Sequence, residues 1–505
     1  MSLPRLPSLA LGLRIAALAA AFLACRGATV VPATAPVSSA NLPTASAPFD
    51  ARPGFHVIDS VAQLRAAMQT SGQKIRMKPG IYRVDDALTD NQTVFRASGS
   101  HNHFDLRGVT LQLDTAVLAR MTAKTAHELV TYRIAGDHLT FEGARFENIG
   151  DQPPAISLPE FDVEGDDVVF QTCSFIVRGS APYGYGRLFG KGKGRGEFKP
   201  TLGARLQKHS AMSIRGDRSK IIGCSFSIQT FGHAISIHGA QDTLVQDTFI
   251  EGTLRPTEEI LRETSGPAFE QKFIDMFHRP IPPGLMLALA EDGIRAYNNG
   301  TKNGQTRRTG TVTALGCTVK RMRGAISLSL ASKPARVENC TVLESGWTGD
   351  GYNLPSGSIV KNCRGDSAYS PLLNQSRSNK RDVDITLEVL DGPTHQGSHP
   401  LAIINGSGHR ITLTQHKGKS LAATQTITLG MAGADASAGD EDGESRTGVD
   451  LFAKGVRLTN ETHQPVLLTE NSSACVITTA GPVADKGRNN TVTHLSAAAS
   501  ATRQN

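Results

Sequence analysis

Two side chains define the chemistry worth looking for, a guanidinium at Arg215 and an imidazole at His238. They close the segments Ala211 to Arg215 and Gly232 to His238, whose apolar residues coincide when Ile214 is laid on Ile237. If the segments are strands of successive turns of the chain, that alignment sets Arg215 beside His238. With Ile235 and Ile237 turned inward, Ser236 and His238 turn outward. An outward Arg–His pair suits neutralisation of an anion by the guanidinium and proton transfer by the imidazole. The plainer alternative is that Arg215 only salt-bridges Asp217 or Asp242, an exposed pairing that stabilises weakly.

The run Glu291-Asp292-Gly293-Ile294-Arg295-Ala296-Tyr297 adds a second cation and a phenol, so Arg295 and Tyr297 join the catalytic candidates. Glu291 and Asp292 offer oxygen ligands for a cation such as calcium, or cap a turn. No ordered Asp repeat accompanies them. His233 falls on the inward phase of its segment and is either a substrate contact or a hydrogen-bonded structural histidine. Lys193 and Arg195 lie in the run Gly190 to Gly196, which lacks the spacing and trailing Ser or Thr of a phosphate-binding loop and reads as a solvated basic loop.

These side chains need a scaffold that brings distant segments into register, and a repeat supplies it. Gln171-Thr172-Cys173-Ser174-Phe175, Ile222-Gly223-Cys224-Ser225-Phe226, Leu315-Gly316-Cys317-Thr318-Val319, Glu338-Asn339-Cys340-Thr341-Val342 and Lys361-Asn362-Cys363-Arg364 share one shape. The step from Cys317 to Cys340 and on to Cys363 is 23 residues each time. Asp247-Thr248-Phe249 and Ala144-Arg145-Phe146 stand in the same frame. Each unit carries a strand, a polar turn and a second apolar strand, such as Lys220 to Ile222 or Thr243 to Val245. Such a unit buries one side only, and stacking unit on unit completes a core. The reading is an all-β chain, a single-stranded right-handed parallel β-helix of about ten coils between roughly residues 104 and 470. The cysteines then form a buried ladder of small hydrophobes. With no Cys-x-x-Cys pair, a zinc site has no support.

The solenoid domain is expected over 51–480, with insertions near 180–207 and 254–310. Loops leaving a rigid scaffold are common seats of binding residues. The second insertion would carry Glu291 through Tyr297 beside the Arg215 coil. Val57 to Met68, followed by Ile75 to Tyr82, reads as strand, helix, strand and turn, with the helix covering the open end of the stack. The acidic stretch Ser437 to Gly448 reads as a loop, and 481–505 as a frayed tail.

Fifty glycines and 5% aromatic residues suit short strands joined by tight turns and argue against a helical bundle. The net charge is +7, or +5 once Arg5 and Arg14 of the N-terminal segment are removed, which suits an anionic partner. No basic-aromatic module marks nucleic acid as that partner. Arg5 and Arg14 precede the apolar run Ile15 to Ala24, which is too short to span a bilayer and has the layout of an export signal over 1–25. Phe22-Leu23-Ala24-Cys25 resembles the lipobox of bacterial lipoproteins, with Phe22 where Leu is usual. Cys25 is accordingly either a lipidated residue or one lying near a plain cleavage site. Residues 26–50, rich in Ala, Pro, Thr and Ser, read as a flexible linker. A secreted, periplasmic or outer-membrane lipid-anchored bacterial monomer is expected.

The opening helix, Pro79-Gly80-Ile81-Tyr82 and the coils that follow resemble the β-helical polysaccharide lyases, the alginate lyase and chondroitinase B group, over most of residues 55–475. The resemblance implies an acidic polysaccharide as partner and cleavage of a uronate polymer by β-elimination. Arg215 would then meet the carboxylate and His238 transfer the proton, with Arg295 and Tyr297 completing the site. His233, Lys193, Arg195 and Trp347, whose ring could stack on a sugar, would bind substrate. Gly232-His233-Ala234 and Gly349-Asp350-Gly351 are similar to two polygalacturonase segments, but in reversed order and without the companion Asn-Thr-Asp or Arg-Ile-Lys elements. The alternatives are a non-catalytic glycan-binding or cell-envelope β-helix, and a hydrolase or epimerase on the same scaffold.

Overall fold

The computed structural model describes residues 52–495 apart from 86, 88–91, 125–128, 180–206, 271, 275–279, 348, 394–398, 417–420, 422–423 and 432–450. The chain is a right-handed parallel β-helix. One face is a sheet of 13 strands running from Thr93–Ala97 to Val483–Asp485, each paired in parallel with the strand one coil away. The other faces form two ladders that merge where the strand Ile359–Gly365 pairs with both Arg336–Glu338 and Thr341–Leu343.

Alternation decides which side of each strand is buried. In Val109–Asp114 the residues are alternately buried and half-buried, as the two-residue period of a strand requires. Like residues therefore stack from coil to coil. Phe104, Phe141 and Phe170 occupy one register row, with ring centroids 5.1 Å apart at each step. Phe146, Phe175 and Phe226 occupy another. Burying one such ring contributes roughly 2 kcal/mol, and only the next coil can complete that burial.

The cysteine frame has a backbone cause. The residue before each rung, Gly143, Thr172, Gly223, Asp247, Gly316, Asn339 and Asn362, has a positive φ between 48° and 71°. This left-handed corner favours Gly, Asn and Asp. The corner turns the chain, and the next residue points inward where only a small side chain fits. Pairing of Ser174 with Arg145 and Ser225, of Phe249 with Ser225 and Thr318, and of Thr341 with Thr318 and Arg364 places Ala144, Cys173, Cys224, Thr248, Cys317, Cys340 and Cys363 in one row. The six described cysteines are free and buried.

Helix α1 (Val61–Gln69) begins at Ser60, whose hydroxyl accepts from the Gln63 N–H, and buries Leu64 and Met68. Helix α2 (Thr115–Lys124), which the coil pattern did not suggest, leaves the stack after Val109–Asp114.

Three expectations change. The stack exceeds ten coils, because coils lacking the cysteine signature continue at both ends. Strands at Val483–Asp485 and Thr491–His494 occupy much of the supposed tail. The insertion at 254–310 is two excursions: an antiparallel pair, Leu254–Pro256 with Met286–Ala288, and a hairpin, Asn299–Lys302 with Gln305–Arg308. Between them Asp292–Ala296 is a strand of the stack, flanked by Ile235–Ile237 and Gly324–Ser327. Residues 1–50, the loop at 180–206 and the acidic stretch 437–448 lie outside the described residues.

Candidate functional site

The 13-stranded sheet positions the site. Val163, Ile214, Ile237 and Ala296 are register partners on four successive coils. The residues that follow them, Glu164, Arg215, His238 and Tyr297, form a row at the strands' C-terminal ends, each tied by its backbone N–H to the preceding coil. Arg215 and His238 are neighbours, as the Ile214–Ile237 alignment requires, and Tyr297 extends the row because its strand belongs to the stack.

The His238 and Tyr297 rings stack 4.4 Å apart at 12°. The Tyr297 hydroxyl reaches His233 Nε2 at 2.7 Å, and the Arg295 guanidinium lies 5.3 Å from the Tyr297 ring centre. Arg215, a quarter exposed, donates from Nη1 to Asp162 at 2.6 Å, with Glu164 at 3.9 Å. Its partner is thus neither Asp217 nor Asp242. Asp217 instead receives a two-pronged ion pair from Arg307 in the hairpin.

Beneath this row lies a buried charge cluster. Glu291, 1% exposed, meets Lys208 at 2.6 Å, His233 at 3.1 Å and Arg323 at 3.7 Å. Asp292 meets Arg323 at 3.3 Å and Arg295 at 3.4 Å. Glu291 and Asp292, read as cation ligands or turn caps, are the anionic partners of these side chains. Burial would raise the Glu291 carboxyl, but Lys208, with Arg323, holds it well below the usual carboxylate range. Asp350, two coils from Asp292 in the row Asp292–Gly324–Asp350, accepts from Ser327 at 3.0 Å and from Asn353 and Asn374. Burial and then the Asp292 charge push its carboxyl up.

The histidines respond to the same surroundings. Burial pushes the His233 ring well below the ordinary histidine range, and Lys208, Arg295 and Arg323 act with it against the opposing pull of Glu291. Burial, with Arg215 next, pushes half-buried His238 down to about 3. Among the described residues no hydrogen bond engages either ring nitrogen of His238. Burial also raises the Tyr297 hydroxyl, with Lys208 opposing and Glu291 adding to it.

The structure brings together Arg215, His238, Arg295, Tyr297, His233, Glu291 and Asp292. His233, on the phase of the buried Ile235 and Ile237, is itself buried and takes the hydrogen-bonded structural reading, with the Tyr297 hydroxyl 2.7 Å from its Nε2. It is 3% exposed and cannot be an open substrate contact. Trp347 packs, partly buried, against Ile260, Ala268, Ile281 and Leu287, so the packing reading of that ring is the one seen. Lys193 and Arg195 lie outside the described residues. Sequence reasoning missed Lys208 and Arg323. Arg323 was within reach, since extending the Asp292–Gly324 register back by one residue sets it beside Glu291.

No family model and no curated protein sequence matches the chain. Among solved structures it is similar to the alginate lyase AlyF-OU02 in complex with G6, at 12% identity over 86% of this chain and 87% of that one, with a TM-score of 0.48. It is also similar to a mannuronic acid-specific polysaccharide family 6 lyase from human gut microbiota, at 9% identity over 89% and 93%, TM-score 0.40. A third is the polygalacturonase of Erwinia carotovora ssp. carotovora, at 9% identity over 89% and 96%, TM-score 0.33.

Proposed function

We propose that this chain is a carbohydrate-active enzyme that cleaves a uronate-containing polysaccharide by β-elimination along the row Arg215, His238 and Tyr297. The observation behind the reading is the state of His238. Its half-buried ring carries no hydrogen bond among the described residues, and burial first, then Arg215, Lys208 and Arg295, disfavours a proton on it. At neutral pH it is an uncharged base in a positive field.

Elimination from a uronate needs that combination. The hydrogen beside the carboxylate becomes acidic when cations neutralise the carboxylate, and a neutral base can then remove it. The C5–H pair becomes the C4=C5 double bond, the C4–O bond breaks, and His238 holds the proton. An arriving carboxylate also offsets the cations that depress His238, so the ring becomes more basic when substrate is bound. Hydrolysis would instead need a carboxylate free to activate water, whereas Glu291 and Asp292 are buried and matched by cations. Export through the apolar N-terminal segment, with or without a lipid on Cys25, would bring such an enzyme to its polymer.

The test is to incubate the protein with alginate, pectate and glycosaminoglycans while following the ultraviolet absorbance of the new double bond. A rise with one polymer, lost in His238→Gln, is expected. New reducing ends without absorbance would make the protein a hydrolase. Binding with neither signal would make it a glycan-binding module.

A further inference from the structure

His233 holds its proton on a defined nitrogen, and this fixes the direction of a second proton. The backbone N–H of Asp292 donates to His233 Nδ1 at 3.1 Å, so Nδ1 presents a lone pair. The ring is buried among Lys208, Arg295 and Arg323 and is uncharged, which leaves its one proton on Nε2. Nε2 lies 2.7 Å from the Tyr297 hydroxyl and 3.1 Å from Glu291 Oε2. Whichever oxygen receives that N–H, the phenol cannot donate to a nitrogen that already bears hydrogen. Among the described residues Tyr297 has no other side-chain hydrogen-bond partner. Its own hydrogen is therefore turned away from His233.

We infer that Tyr297 is the proton donor of the elimination, its hydroxyl hydrogen kept available by the Asp292–His233 contact, and that His233 is a positioning residue. This inference rests on the proposed elimination. Stacking on His238 holds the phenol beside the proposed base, so donor and base can act on adjacent atoms of one sugar. The Tyr297 O–H bond breaks as the leaving oxygen takes the proton. The phenolate then accepts from His233 Nε2–H and faces Lys208 and Arg295. After the product leaves, water carries the proton on His238 back to the phenolate, and the ledger of protons closes. The raised hydroxyl of Tyr297 keeps it protonated before reaction.

Two measurements decide the inference separately from the reaction. In full-length protein labelled with nitrogen-15 histidine, His233 should show an unprotonated Nδ1 and a protonated Nε2. The opposite tautomer or an imidazolium overturns the inference whatever the activity. For the chemical step, Tyr297→Phe should lower kcat on polymer by about 100-fold or more, with KM within a few-fold. On a uronate carrying fluoride at C4, which leaves without needing a proton, the same variant should keep near wild-type kcat. Equal losses on both substrates would overturn the donor role. Wild type inactive on both would refute the elimination itself, with the tautomer still deciding the hydroxyl's direction. His233→Ala should lower kcat on polymer and spare the fluoride substrate, a split that a merely structural defect would not produce.

Discussion

The His238 imidazole lies face to face with the Tyr297 phenol, 4.4 Å between ring centres, and the two rings sit on neighbouring coils that a long excursion separates in sequence. A ring so placed, with Arg215 alongside, stays uncharged until the pH approaches about 3. If His238 is the base, the acid limb of kcat/KM, which reports the free enzyme, should lie near pH 3 and not near the 6.5 of an ordinary histidine. Arg215→Met removes one source of repulsion and should move that limb upward. A wild-type limb between 6 and 7 would assign the base to another group.

The hairpin Asn299–Lys302 with Gln305–Arg308 supports this edge from the side. Arg307 holds Asp217 through both its terminal nitrogens and donates to the Arg215 carbonyl at 3.1 Å, while Lys302 pairs with Asp166. Gly300 runs directly against His238: a Cβ there would lie 2.2 Å from its carbonyl oxygen and 2.7 Å from its Cβ. Backbone must move to admit a methyl group, at a cost of about 1–3 kcal/mol. Gly300→Ala should therefore reduce activity far more than it lowers Tm, as paired kinetic and thermal measurements would show. Unchanged kcat would separate the hairpin from the site.

The Arg215–His238 neighbourhood was legible because the pair follows from a register, and the register follows from left-handed corners and small buried residues repeated every coil. Tyr297 against His233 was not legible. That contact depends on how the phenol lies over its own sheet, which strand period does not specify. The membership of Asp292–Ala296 in the stack was hidden by excursions on both sides. Thr248 and Cys317 are separated by three times the 23-residue step, yet pairing of Phe249 with Thr318 makes them adjacent rungs. Lys208 follows a long stretch with no repeat signal, so nothing in the pattern pointed to it.

Asp105 is fully buried beneath three arginines. It accepts from Arg107 at 2.6 Å, pairs with Arg76, and lies 3.5 Å from Arg52. Burial would raise this carboxyl, but Arg107 and Arg76 hold it down at about 2 against an ordinary 3.8. A depressed carboxyl stabilises the fold above its unfolded value, and that contribution is lost as the pH falls through the folded one. Asp105→Asn should cost about 3–5 kcal/mol at pH 7, since it leaves the buried Arg76 guanidinium, and the half-exposed Arg107 and Arg52, without their anion. Denaturant titrations should show the difference from wild type shrinking by about 2 kcal/mol between pH 4 and pH 2. A pH-independent difference would mean that Asp105 acts through packing.

The cysteine ladder, together with Cys475 in a separate row of the stack, makes a prediction about reactivity. Cys173, Cys224, Cys317, Cys340, Cys363 and Cys475 are buried and unpaired, and a thiol must reach water as thiolate to react. Burial raises Cys173 far above an ordinary thiol and raises Cys475 as well. In the folded protein these six thiols should resist a water-soluble disulfide reagent and be released together when the stack unfolds. Because each rung is covered by the coils on either side, labelling in rising denaturant should follow the loss of β-structure in one transition. Rapid modification of Cys340 in native protein, at the middle of the Cys317–Cys340–Cys363 run, would mean that the coils open locally there. In that case the ladder would not be the continuous core its register implies.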